Sequence, residues 1–130
     1  MSGAPEELRY TKEHEWVSIE GDNARIGITD YAQSQLGDVV FVELPEAGSQ
    51  VEAGSTFGVV ESVKAVSDLF VPVSGTIKEI NNSLEETPEI INTDPYVKGW
   101  MIVVEMSDKS TLDELLSADD YQTYVNEESH

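Results

Sequence analysis

The stretch that decides the fold is residues 56–74, TFGVVESVKAVSDLFVPVS. It holds two runs rich in β-branched and aromatic residues, the types that fit a pleated, half-buried surface. The first run ends before Lys64 and the second begins after it, so the stretch predicts two strands folded back on each other with Lys64 at the bend. Between the runs, residues 61–65 include no Gly, Pro or Asn, which argues against the common two-residue Asn-Gly turn.

Lys64 at the tip of such a hairpin is open to two interpretations. A lysine amine on its flexible stem is a good acceptor for covalent attachment, because a modifying enzyme can enclose it. An exposed lysine in a turn is also an ordinary solvated side chain. Position alone therefore does not decide whether Lys64 is modified.

The rest of the chain predicts more short strands, joined by turns and a few short helices. Strands are predicted over residues 9–19 (as an edge strand), 24–28, 38–44, 76–80 and 99–105. In 38–44, one face of strict alternation is expected to be buried and to hold Val40, Val42 and Leu44. Many short strands with Gly and Pro turns favour a sandwich or a barrel.

Helix signals are local. Thr29 and Asp30 before residues 31–36, with Gly37 after them, predict a capped short helix. A polar loop over residues 81–88 is expected to lead into one helical turn at 89–92. In the tail, Ser110 is predicted to cap a helix over 111–116, and Ser117 gives a second cap signal before an amphipathic segment.

Composition bounds the class of protein. The 130 residues, 14.3 kDa and 39% hydrophobic content predict one folded domain. The net charge of -19 disfavours binding to nucleic acid or to anionic lipid. This charge fits either docking to basic partner surfaces or adaptation to a salty cytoplasm. No apolar run approaches the roughly 20 residues of a membrane span, and residues 1–10 lack a signal or transit signature, so we expect a cytoplasmic protein, or a matrix protein if it is a processed mitochondrial one.

The residue types also speak against catalysis. The chain has no cysteine and only two histidines, His14 and His130, so a metal site is not expected. His14 lies between Glu13 and Glu15, and we interpret it as a surface strand residue in preference to a catalytic base. With no triad pattern and no phosphate loop, we predict a carrier or binding module and not an enzyme.

Four blocks of the sequence resemble the H proteins of the glycine cleavage system. They are KEHEWV at 12–17, GITDYAQSQLGDVVFVELPEAG at 27–48, ESVKAVSD at 61–68 and INTDPYVKGWM at 91–101. They stand in the family's order and span nearly the whole chain. The resemblance implies a mainly β, lipoyl-domain-like barrel-sandwich hybrid with short helices, formed by one domain over residues 1–130. Its core would span about 10–107, and a C-terminal helical extension about 110–127.

The resemblance also implies a function and partners. Lys64 would carry covalent lipoate and shuttle an aminomethyl group from the glycine decarboxylase (P protein) to the aminomethyltransferase (T protein). Dihydrolipoamide dehydrogenase (L protein) would reoxidise the arm. A lipoate ligase or a lipoyl/octanoyl transferase would attach it, guided by Glu61 and Ala65. Biotin is disfavoured, because Val63 and Ala65 stand where the biotinyl pattern has methionines.

The cargo itself suggests a further site. An aminomethyl group is cationic and sensitive to water, so we expect the carrier to fold its arm into a cleft. Glu15 and Asp68 lie in blocks that match the family, and we predict that they hold the amine by charge-assisted hydrogen bonds. Alternatively, both are solvated surface acids.

Other functions remain open at this stage. A lipoyl domain of a 2-oxoacid dehydrogenase acyltransferase is disfavoured, because the sequence holds no Ala/Pro-rich linker and no further domain. A relay scaffold that passes lipoyl groups to other proteins requires the same Lys64. A non-carrier acidic β-domain would leave Lys64 unmodified.

Overall fold

The computed structural model describes residues 6–128, which form two antiparallel sheets and a few short helices. The strands are β1 Arg9–Tyr10, β2 Glu15–Glu20, β3 Asn23–Ile28, β4 Val39–Glu43, β5 Gln50–Val51, β6 Thr56–Ser62, β7 Val66–Phe70, β8 Ser74–Ile80 and β9 Ile102–Asp108. The helices are α1 Asp30–Leu36, α2 Ser83–Glu86, α3 Ile90–Thr93 and α4 Ala118–Glu128, with a 3-10 helix at Ser110–Glu114. The strand orders are β1-β2-β3-β9-β8-β5 and β4-β6-β7. The predicted mainly β class is confirmed.

The main core lies between these sheets. Buried apolar residues of both sheets form one cluster, including Val17, Ile26 and Val104 from the larger sheet and Val42 and Val60 from the smaller one. Burial of each such side chain contributes about 1.5–3 kcal/mol relative to leaving it exposed. The core therefore holds the smaller sheet, with its hairpin, against the larger one.

The predicted hairpin around Lys64 is confirmed, and a serine closes it. β6 and β7 pair with Glu61 opposite Val66, and the N–H of Ser62 donates to the carbonyl of Ala65 at 2.8 Å. The Oγ of Ser62 accepts from the N–H groups of Lys64 and Ala65 at 3.3 and 3.1 Å. Among the described non-glycine residues positive φ occurs at His14 alone, so this bend replaces the left-handed residues of an Asn-Gly turn with a side-chain acceptor.

Helix α1 is built as predicted. Thr29 is its N-cap, and its Oγ1 accepts from the N–H of Ala32 at 3.2 Å. Gly37 ends the helix with φ of 82°, a conformation that glycine adopts without a Cβ penalty. α1 therefore begins and ends at positions set by local chemistry.

The predicted alternation in β4 is wrong. Its register against β6 shifts between Val39 and Phe41. Val39 and Val42 are buried, whereas Val40 and Phe41 are 54% and 48% exposed. A bulge adds a residue to one strand and moves the following side chains to the other face, which period-two reasoning does not foresee.

Two further predictions need correction. Residues 9–19 do not form one edge strand, because the chain leaves the sheet between β1 and β2 and returns with β2 paired to both β1 and β3. The loop predicted at 81–88 contains α2. The helical turn predicted at 89–92 is confirmed as α3, which begins one residue later.

In the tail, one cap prediction fails and the other is confirmed. The first helix is of the 3-10 type, and Lys109, not Ser110, is its N-cap. The second signal is confirmed, since Ser117 Oγ accepts from the N–H of Asp120 at 3.2 Å at the start of α4. Helix α4 packs against β1 through a second apolar cluster made by Leu8, Tyr10, Trp16, Ala118, Tyr121 and Val125.

Candidate functional site

A cleft of about 300 Å³ lies beside the Lys64 hairpin. Its walls come from α1, from the residues that lead into β2, and from β6 and β7. Part of the lining is apolar and includes Ile28, Leu36, Val60 and Leu69. The polar part includes Glu15, Gln35, Ser67 and Asp68. This composition suits a flexible aliphatic chain that ends in a polar or charged group.

Lys64 lies at the exposed tip of the hairpin, next to the end of α1. A Cβ atom added to Gly37 would lie 3.4 Å from Cε of Lys64, so the lysine stem passes over the helix end in the space that glycine leaves. The N–H of Val63 donates to the carbonyl of Asp38 at 3.1 Å. The hairpin tip is thereby attached to the segment that joins α1 to β4.

Glu15 is the buried acid of the cleft, and it is 3% exposed. Its Oε1 accepts from the hydroxyl of Thr11 at 2.8 Å, and its Oε2 accepts from the N–H of Phe70 at 3.2 Å. Burial raises the pKa of Glu15 to about 7, although both hydrogen bonds act to lower it. Its carboxyl group is therefore partly protonated near neutral pH, whereas a solvated glutamate is almost fully ionised there.

Asp68 reaches the same cleft in a different environment. It is exposed, and in the pleat of β7 it alternates with the more buried Ser67 and Leu69. The structure therefore brings the two predicted acids to one cleft, Glu15 in the interior and Asp68 at the solvent side. The interpretation of Glu15 as a solvated surface acid is wrong. Ser67 is a lining residue that sequence reasoning missed, although its place in the alternation of β7 could have indicated it.

Glu61 and Ala65, the two residues predicted to guide the attaching enzyme, both flank Lys64. Glu61 is half-buried in β6, in a cross-strand row with Phe41 and Val66. Ala65 is exposed, and its N–H is held by Ser62. These positions leave the Ala65 side chain open to a protein that approaches the tip.

His14 is not the surface strand residue that the sequence predicted. It lies before β2 with φ of 68°, it is half-buried, and it lines the cleft. Its ring lies 4.9 Å from that of Tyr31 between centroids, and its Nδ1 lies 2.9 Å from the hydroxyl of Tyr121. The contact with Tyr121 is to α4, more than 100 residues later in the chain, so no local sequence pattern predicts it.

Asn92 is a second residue that sequence reasoning missed. Its Nδ2 donates to Gln33 Oε1 at 3.0 Å and to the carbonyl of Gly37 at 2.9 Å, and its Oδ1 accepts from the N–H of Val39 at 2.8 Å. One amide thus joins the end of α1 to the start of β4. It fixes the segment against which the Lys64 stem lies.

Two other kinds of site are absent from the part of the chain that the structure describes. Within residues 6–128, no group of three or more His, Asp or Glu side chains is arranged to hold a metal ion. In the same part of the chain, no helix has the length and apolar character needed to cross a membrane.

Comparison with known proteins gives one consistent family. The sequence model described as Glycine cleavage H-protein matches residues 8–128. The glycine cleavage system H protein of Halalkalibacterium halodurans is 60% identical over 98% of this chain and 100% of its own length. That of Geobacillus kaustophilus is 61% identical over 95% of this chain and 97% of its own. The crystal structure of the H protein from Mycobacterium marinum superposes with a TM-score of 0.85 at 42% identity, and covers 98% of this chain and 100% of that one. The chain belongs to the glycine cleavage H-protein family.

Proposed function

We propose that Lys64 bears covalent lipoate and that its arm carries an aminomethyl group from the glycine decarboxylase to the aminomethyltransferase. Members of the family are lipoyl carriers without catalytic activity of their own, and dihydrolipoamide dehydrogenase reoxidises them. The observation that carries the assignment to Lys64 is its place at a hairpin tip, with its stem against Gly37 beside the cleft.

The residues around this lysine fit such an arm. The apolar wall offers contacts for methylene groups, and Glu15 and Ser67 offer polar ends. When attached, lipoate supplies a five-membered disulfide ring that opens readily, because the ring cannot reach the dihedral of roughly 90° that an unstrained disulfide prefers. The chain itself contains no cysteine, so it brings no competing thiol to the exchange.

Glu15 is the group we assign to hold the cationic amine of the cargo. A neighbouring positive charge favours the ionised form of a carboxyl group, and a pKa of about 7 means that ionisation at neutral pH needs little additional driving force. The resulting carboxylate accepts a charge-assisted hydrogen bond from the amine. Asp68, at the solvent side of the cleft, would attract the amine as it enters.

The hairpin tip is the surface we assign to the lipoate ligase or lipoyl/octanoyl transferase. The attaching enzyme would recognise Glu61 and Ala65 together with the shape of the bend, because Ser62 holds the backbone at Lys64 and Ala65. Ala65 has no bulk beyond Cβ, which allows close approach to the lysine amine.

The chain as a whole is proposed to act as one carrier domain, with a core over about 10–107 and a helical extension over about 110–127. The contact of α4 with β1 supports this, because the extension packs on the same sheet that forms the core. We also propose a cytoplasmic location and a steering role for the net charge of -19, directed at basic docking surfaces on the partner enzymes.

The experiment that tests the carrier function is the intact mass of the protein purified from lipoate-replete cells of its own host. A mass increase of one lipoyl group is expected for the wild type and for Lys78→Arg, an exposed lysine control in β8, and no increase for Lys64→Arg. An unmodified wild type would indicate a non-carrier β-domain. A modified protein that supports no CO2 release from glycine with the glycine decarboxylase would indicate a relay scaffold.

A further inference from the structure

The hydroxyl of Tyr121 lies between two residues at the cleft. It is 2.9 Å from Nδ1 of His14 and 2.7 Å from Oγ1 of Thr29. Tyr121 belongs to α4, far from both residues in sequence, and is 2% exposed. With Nδ1 of His14 as the acceptor, Tyr121 donates to it and accepts from the hydroxyl of Thr29. One buried hydroxyl thus links two segments that the sequence places apart.

Each of these two residues supports a different wall of the cleft. His14 lines the cleft, directly precedes Glu15, and has a left-handed backbone. That conformation is uncommon for a residue with a Cβ and persists only where its surroundings hold it. Thr29 is the N-cap of α1, whose residues Tyr31 and Gln35 also line the cleft. Movement of the Tyr121 hydroxyl would therefore shift both the segment before β2 and the start of α1.

Tyr121 is itself firmly mounted. Its ring stacks on that of Tyr10, with centroids 4.7 Å apart and planes 14° apart. The surrounding cluster includes Leu8, Trp16 and Val125. Because the ring is held by packing, the hydroxyl occupies a defined place. Its position therefore depends on how α4 packs against the larger sheet.

We propose that Tyr121 is a positioning residue of the arm cleft, through which the C-terminal helix sets the spacing of the two cleft walls. This inference rests on the proposed function, because it assigns the cleft to the lipoyl arm. The proposal assigns α4 a functional role in addition to its contribution to the stability of the fold. Without the bridge, His14 and the start of α1 would fluctuate, and water would reach a cargo held at Glu15.

The test compares Tyr121→Phe with Ile77→Val in the full-length chain. Tyr121→Phe keeps the stacked ring and removes only the hydroxyl. Ile77→Val removes a buried methyl group from β8 in the main core, away from the Tyr121 cluster and the cleft lining, and should lower Tm by a similar amount. The first measurement is amide hydrogen exchange over residues 29–36. The second is the rate at which the lipoylated protein, loaded by the glycine decarboxylase, loses its aminomethyl group to water.

Loss of the bridge should raise both rates in Tyr121→Phe by about three- to tenfold, the range expected for a net loss of one hydrogen bond. Ile77→Val should leave the rate of cargo loss within about twofold of wild type, despite its lower Tm. If Tyr121→Phe does not fold, His14→Asn replaces it, because asparagine tolerates a left-handed backbone and lacks the ring that contacts Tyr121.

The outcomes separate the two claims. A lipoylated wild type whose rates are unchanged by Tyr121→Phe would overturn this inference and leave the carrier function intact. Equal loss of cargo in both variants would also overturn it, because stability alone would then explain the effect. A wild type that is never lipoylated would overturn the carrier function, and this inference with it.

Discussion

The carboxylate of Glu15 accepts a hydrogen bond of 3.2 Å from the backbone N–H of Phe70, 55 residues later in the chain. Glu15 begins β2 in the larger sheet, and Phe70 ends β7 in the smaller one. A single buried acid thus connects the two sheets at the cleft. Burial raises the pKa of Glu15 to about 7, so the folded protein keeps this acid at a cost in stability at neutral pH.

We predict that Glu15→Gln stabilises the protein in a pH-dependent way. Between the ordinary pKa of 4.5 and the folded value of about 7, the unfolded chain releases a proton that the folded chain retains. The free energy of unfolding of the wild type therefore falls as pH rises through this window, by up to about 3 kcal/mol at pH 8 relative to pH 4. The variant has a neutral amide at this position, so its free energy of unfolding does not fall in this way. Urea unfolding at pH 4 and pH 8 measures the difference.

The matched control is Glu20→Gln, which removes an exposed acid at the other end of β2. Because it leaves Glu15 in place, it should keep the wild-type fall in stability between pH 4 and pH 8. If the gap between Glu15→Gln and wild type were equal at both pH values, the raised pKa would be contradicted. If Glu15→Gln left the lifetime of the aminomethyl cargo unchanged or lengthened it, Glu15 could not be the group that holds its amine.

The prediction of this site succeeded where the signal was local. The two apolar runs around Lys64 predicted the hairpin, and Thr29 with Gly37 predicted the bounds of α1, because capping and strand propensity depend on near neighbours. The blocks around Glu15 and Asp68 pointed to one cleft through the family resemblance. Residue types alone would not have joined two acids that lie on different sheets.

The parts that failed depend on contacts between distant segments. The burial of Glu15 follows from packing of β2 against β7, and the left-handed His14 follows from its contact with α4. The bulge at Val39 reverses the faces of β4 without a glycine to mark it. Asn92 satisfies backbone groups that only the finished fold brings within its reach.

We predict that Gly37→Ala impairs attachment of lipoate beyond its effect on stability. The added Cβ meets a backbone φ of 82° and lies 3.4 Å from Cε of Lys64. A backbone with φ of 82° and ψ of -159° is essentially confined to glycine and costs a residue with a Cβ about 1–3 kcal/mol of folding free energy. The added methyl group also fills space beside the lysine stem and restricts its positions. The rate of lipoylation by purified lipoate ligase should fall severalfold, measured by intact mass against time.

Gly48→Ala is the matched control, because Gly48 has φ of 96° and no atom within 4 Å of an added Cβ. It should also lose stability, because its positive φ disfavours a residue with a Cβ, and it should keep the wild-type rate of lipoylation. Equal rates in the two variants would refute a role for Gly37 in presenting Lys64.

We predict that Asn92→Asp destabilises the protein by about 2–3 kcal/mol. The aspartate has nearly the same shape, and it loses both N–H donors and directs an acceptor at the carbonyl of Gly37 and at Gln33. Thermal unfolding at pH 7 measures the loss, and lowering the pH should restore part of it, because the protonated acid is a donor again.

Asn82→Asp, at an exposed position with no side-chain cap bond, should change Tm by less than a third as much. A Tm for Asn92→Asp that stayed at the wild-type value would contradict the bridging role.

The last prediction concerns the bend itself. Ser62→Ala removes the oxygen that accepts from the N–H groups of Lys64 and Ala65, and water at the exposed tip then takes its place. We expect a loss of about 1 kcal/mol in stability and faster amide exchange at Ala65. Lipoylation should slow more than the lost stability explains, since the ligase would meet a tip without a fixed backbone.

Ser62→Thr keeps the hydroxyl and should restore the rate. Ser55→Ala removes a serine that donates to the carbonyl of Glu52 in another exposed turn, and it should leave lipoylation unchanged. If Ser62→Ala were lipoylated at the wild-type rate, recognition would depend on the side chains at the tip and not on the shape of the bend.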